Sequence, residues 1–175
     1  SVIDRNLEVG NEFAYFGYGT ERGRSLTGYT YNEWAVGCAV LWSPFFLLAH
    51  TVSLLAQSLG LPVSADGYGA QYVWAVSLGS TLYAFIGLIL TYRLCRNVFP
   101  PSICTLATLA VWLSSPLVFY MYSHPLMSHA NDAFAYALYL YIWQRTRESP
   151  SPYSALLRGA TARLCALVRQ VNAVL

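Results

Sequence analysis

Gln71–Tyr92 runs for twenty-two residues without a charge and stops at Arg93 and Arg96. A helix needs roughly 20 apolar residues to cross the ~30 Å core of a bilayer. No water solvates the backbone there, so a run of this kind has to be helical. Further apolar runs at 34–59, 102–121, 130–144 and 153–175 make this the chain's theme, not an exception. The chain is 56% hydrophobic and 10% charged, where soluble domains carry about 25% charged residues. Too little polar surface is available to cover a soluble core of this size. The expected class is all-α: a polytopic transmembrane helical bundle, with an outer-face loop carrying interfacial helices.

Charge sets the orientation. All ten basic residues are arginine, and the net charge is +2. That is too weak and too scattered for a nucleic-acid surface. Arg93 with Arg96, and Arg145 with Arg147, form two basic turns separated by two apolar runs. Both can therefore face the cytoplasm. Ser123–Asp132, read SHPLMSHAND, then lies on the opposite side.

The run 34–59 admits two readings. If it crosses fully, residues 1–33 become cytoplasmic. If it is an interfacial or re-entrant helix, they share the outer side with His124 and His129. Pro44, His50, Trp34 and Trp42 favour the second choice. Residues 1–70 are then an outer loop, and 71–175 hold helices at 71–92, 102–121, 130–144 and 153–175. In residues 1–33, Tyr15, Phe16, Tyr18, Tyr29 and Tyr31 mix with charges and glycines, which suits a membrane–water interface or an ordinary solvated loop. Pro100 and Pro101 mark a helix start, and Asp66–Gly67 a turn. The chain opens without Met and stops inside an apolar run, so the expectation is an internal piece of a longer protein.

Few residues can carry chemistry. Cys38, Cys95, Cys104 and Cys165 lie apart in apolar surroundings with no CxxC pair, which reads as packing. Phosphate-loop, dinucleotide-loop, nucleophile-elbow and zinc-protease motifs do not occur. His129 and Asp132 fall at i and i+3, on one helix face. Such a pair can bind a cation, touch a phosphate or move a proton. Pro125 separates His124 from His129, and no metal ligand set is assigned. A capped, wetted helix start at Ser128 or Asn131 explains the same residues without function. Arg169 lies 16 residues beyond Tyr153, roughly 24 Å along a helix, on the side of the histidines. It can clamp a phosphate or snorkel to headgroups. Asn172 follows at i+3 to support it. Arg163 falls near mid-membrane, and His50 reads as a packing histidine.

Taken together, NEWAVGCAVLWSPFFLLAH, DGYGAQY, PLMSHA and LLRGATARLCALVRQVNAVL resemble bacterial membrane glycosyltransferases of the GT-C superfamily, of the polyprenyl- or dolichyl-phosphate mannosyltransferase-like and aminoarabinose-transferase-like kinds. The resemblance rests on order and spacing. It implies an integral protein of the bacterial inner membrane whose site faces the periplasm or exterior. It implies an inverting transfer of a sugar from a polyprenyl-phosphate donor to an acceptor, with the lipid-linked donor and membrane lipid as partners and no nucleic acid. The catalytic Asp or Glu is expected upstream of Ser1. His124, His129, Asp132 and Arg169 are expected to bind substrate or lipid phosphate. No cofactor is certain, and a divalent cation stays open. Gln170 and Arg163 depart from the pattern, which favours proline and a small residue there. A non-catalytic membrane protein, a transporter or an assembly subunit, is the alternative.

Overall fold

One long helix organises the chain. Ala70–Cys95 (α3) is 26 residues long, about 39 Å at the helical rise. The computed structural model describes residues 8–15, 23–24, 26–30, 35–148 and 151–174. Contacts divide the chain into two units, Ser1–Trp34 and Ala35–Leu175. Among the described residues all regular structure is helical apart from one isolated bridge, Arg24 to Thr30.

In the first unit, α1 (Gly10–Tyr15) follows a carboxylate clasp. The Glu8 oxygens accept the Thr30 N–H at 3.2 and 3.1 Å and the Gly10 N–H at 3.0 Å. Gly28, at φ +85° in the turn between Arg24 and Thr30, adopts a conformation that side chains resist. Phe16, Tyr18, Tyr31 and Trp34 of the expected aromatic belt lie outside the described residues.

The second unit holds α2 (Val36–Ser58), α3, α4 (Pro101–Ser114), α5 (Leu117–Tyr122), α6 (Ser128–Thr146) and α7 (Pro152–Val168), then a 3₁₀ turn at Gln170–Val174. The run 34–59 forms one continuous helix that passes through Pro44. The run 102–121 is divided. Ser115 precedes Pro116 and is extended, at φ −99° and ψ 162°, because the proline ring crowds the helical region of the residue before it. The last run stops as a helix at Val168, where Arg169 turns extended at φ −145°. Its start is fixed by Ser151 and Ser154, whose side chains each accept the other's backbone N–H, with Pro152 in the first turn.

Hydrogen bonds fix the directions. Trp42 meets Ser80, His50 meets Tyr72 and Gln71 reaches Ser53, so α2 runs antiparallel to α3. Asn131 meets Ser80 and Asn97 meets Gln144, so α6 runs parallel to α3. Asp132 meets Arg169, so α7 returns antiparallel to α6. Two glycines let backbones touch, as in membrane helix packing. A Cβ at Gly37 would strike the Leu167–Val168 backbone, and one at Gly87 would stand 3.0 Å from the Phe134 Cα.

Two helices, α2 and α3, are long and apolar enough to cross a membrane. Only 22% and 28% of their apolar windows are buried. Leu48, Val52, Leu55, Trp74 and Leu78 stay exposed on them. At the opposite end, Arg96, Arg145 and Arg147 each lie over an aromatic ring of their own helix, Tyr92, Tyr141 and Trp143. Aromatic rings and basic side chains of this kind are enriched at membrane–water interfaces.

The clasp of the first unit predicts a titration. The Glu8 carboxyl is held below its ordinary 4.5, chiefly by the Thr30 side-chain hydrogen bond, against a small opposing effect of burial. A depressed carboxyl stabilises the fold above its unfolded value, and that contribution disappears as pH falls through the lower folded one. The Thr30 amide resonance should therefore titrate with a midpoint below 4.5. A midpoint at or above that value would mean that the clasp does not form.

Candidate functional site

The site forms where α6 starts and α7 ends. His129 and Asp132 lie on one face in the first turns of α6, as their i, i+3 spacing requires. The α7 helix breaks at Arg169, and this break sends the guanidinium back across the start of α6. Arg169 Nη1 donates to Asp132 Oδ2 at 3.3 Å and lies 3.5 Å from His129 Nδ1. Arginine only donates, so Nδ1 of His129 accepts and its proton sits on Nε2. Asn172 Nδ2 reaches Asp132 Oδ1 at 2.5 Å and the Cys165 carbonyl at 3.3 Å. That carbonyl also accepts the Arg169 backbone N–H at 3.0 Å, so it is shared between the two donors.

Of the four residues picked from the sequence, His129, Asp132 and Arg169 come together and His124 does not. His124 is exposed and stacks on Phe119, with centroids 4.6 Å apart. His129 stacks on Tyr120 at 3.9 Å. His50, read as a packing residue, bonds the Tyr72 hydroxyl at 2.8 Å.

Sequence reasoning missed the layer beneath. Asn131 is fully buried and faces Ser80, whose hydroxyl also takes the Trp42 indole N–H at 2.7 Å. In this amide orientation the buried Oδ1 of Asn131 has no partner. Turning the amide by half a rotation lets the Ser80 hydroxyl donate to that oxygen while still accepting from Trp42. This knot ties α2, α3 and α6 together one residue before Asp132. Nothing in an isolated sequence marks Ser80, fifty-one positions from Asn131, as its neighbour. The apolar flanks of Asn131 were the available signal.

Arg169 and Asp132 carry opposite charges, so the pair is neutral overall. The Met127 cap position of α6 supplies no side-chain acceptor, and the first turn holds no acidic residue. The helix dipole therefore adds a partial positive charge at the start of α6, where Ala130 and Asn131 are fully buried. A divalent cation fits poorly. Asp132 is the single carboxylate here, and both its oxygens are engaged by Arg169 and Asn172. Magnesium and calcium need about six oxygens. Among the described residues no group of three or more His, Cys, Asp or Glu side chains gathers to hold a metal.

Depth follows from spacing. Asp132 precedes Arg145 by thirteen residues on α6, about 20 Å of helix. The site therefore stands about 20 Å from the arginine end of α6, and roughly midway along α3. No protein-family model, curated protein or solved structure matches this chain.

The buried knot predicts a non-additive pair. Ser80→Ala leaves the Trp42 N–H and the Asn131 amide without their shared partner and should cost about 1–3 kcal/mol of stability. Trp42→Phe in that background should cost less than it does alone, because the indole donor is already orphaned. Thermal unfolding in detergent tests this, and strictly additive losses would show that the three groups act independently.

Proposed function

We propose that this chain is part of a membrane glycosyltransferase that takes a sugar from a polyprenyl-phosphate donor, at the membrane face away from the arginine turns. The observation that carries the reading is the Arg169 guanidinium held beside His129 at the uncapped start of α6. That is a built site for an anionic leaving group, set about 20 Å from the basic end. The sequence resemblance supplies the sugar and the polyprenyl lipid. The site geometry supplies only the anion.

In this reading Arg169 and the α6 N–H groups take up charge as the sugar–phosphate bond breaks, the moment at which fixed donors matter most. His129, protonated on Nε2, is a second donor to the phosphate or to a sugar hydroxyl. Asp132 is a positioning residue rather than the base. Both its oxygens are already engaged, by Arg169 and Asn172. The acceptor hydroxyl is deprotonated by a different carboxylate and attacks the anomeric carbon directly, inverting it as the lipid phosphate departs. The arginine turns face the cytoplasm, so the site opens toward the periplasm or exterior of a bacterial inner membrane.

Two measurements test this. Transfer from a polyprenyl-phosphate sugar by the full-length protein in vesicles should fall about 10²–10³-fold in Arg169→Ala. It should recover only partly in Arg169→Lys, which cannot form the two-pronged contact. Unchanged transfer in the alanine variant removes Arg169 from the site. A cysteine at the exposed position Ser123 should react with an impermeant maleimide in intact spheroplasts. Labelling only after lysis would reverse the sidedness.

A further inference from the structure

Arg163 is exposed on α7, eleven residues after Pro152. That places it about 16 Å along the helix, in the apolar layer between the arginine end and the site. Among the described residues it has no hydrogen-bond or ion-pair partner. Its neighbour Arg158, nearer the helix start, donates to the Ser154 carbonyl at 3.3 Å. Arg163 lies too deep to reach the basic boundary easily, and an unpaired guanidinium in hydrocarbon is costly.

The surrounding face has a definite shape. Gly159 and Ala160 are exposed one turn before Arg163, with Leu156 and Leu167 exposed beyond them. A Cβ at Gly159 would meet open space. The opposite face of α7, with Ser154, Cys165 and Val168, is the buried one. The exposed face is therefore a shallow notch flanked by leucines, with one cation at its end. Small residues of this kind let a second helix approach closely.

We propose that this face receives a partner helix, apolar and carrying one carboxylate at mid-depth, which pairs with Arg163. Charge complementarity selects the occupant. From residue 35 onward the acidic residues are Asp66, Asp132 and Glu148. Asp66 is held in its turn by Ser64 and the Tyr68 N–H. Asp132 belongs to Arg169, and Glu148 pairs with Arg147 at the basic end. The helices of a second copy thus have no free carboxylate at that depth, so the partner is a different helix. The inference rests on α7 lying within the membrane, as the proposed function requires.

The test uses the full-length protein, dye-labelled, in phosphatidylcholine vesicles, with synthetic Leu/Ala transmembrane peptides bearing a central Asp or a central Leu. Energy transfer to the Asp peptide should saturate at about tenfold lower peptide density than to the Leu peptide. Arg163→Leu should abolish the difference, Arg163→Lys should keep most of it, and Gly159→Ile should weaken binding of the Asp peptide. Equal signals from both peptides, with the protein retained after carbonate extraction, overturn the interface alone. Loss of the protein on extraction overturns the membrane reading of α7 and the interface with it. Self-association that depends on Arg163 would make the occupant a second copy and refute the proposal.

Discussion

The bond between Arg169 and Asp132 constrains the second unit more than any other contact. It joins the end of α7 to the start of α6, and it does so between apolar helices, where an isolated charge is costly. Each partner needs the other, and Asn172 fixes the remaining carboxylate oxygen. The helix ends at Val168, and Arg169 is extended where it meets Asp132.

The same demand explains the polar layer below. Asp132 keeps its place because α6 is anchored one residue earlier, where Asn131 meets Ser80 and, through it, Trp42 of α2. Close helix contact at Gly37 and Gly87 brings those groups within reach. The charged site is thus supported by a neutral one, and the neutral one by glycines with no chemistry of their own. A change at Gly37 acts on Arg169 directly, since it moves the Leu167–Val168 backbone that leads into it.

Much of this was legible in the sequence, and the limits have physical causes. The absence of charge over Gln71–Tyr92 leads directly to the helix Ala70–Cys95, because length and apolarity are local properties. The i, i+3 spacing of His129 and Asp132 and the distance of Arg169 from its helix start are local too, and these three side chains meet. His124 reads the same way on paper, yet it turns to Phe119, because Pro125 and the turn beyond it lie between the two histidines. Pro116 was passed over inside an apolar run, although its effect on Ser115 is the ordinary effect of proline on the residue before it. Ser80 and Asn131 were not legible at all. Their partnership depends on the register of α3 against α6, which neither helix specifies alone.

The register also decides where along α3 the site lies. The pair α2 and α3 rises past the start of α6, because Ser80, not Ala70, meets Asn131. Ten residues of α3 stand beyond that level, about 15 Å of helix, with Trp74 and Leu78 uncovered. Seen from the Ala70 end of α3, Arg169 and Asp132 therefore lie at the foot of an apolar wall and not at its rim. This asymmetry of height is set by one serine–asparagine contact, so a change of register between α3 and α6 would move the charged pair along α3 without altering either helix.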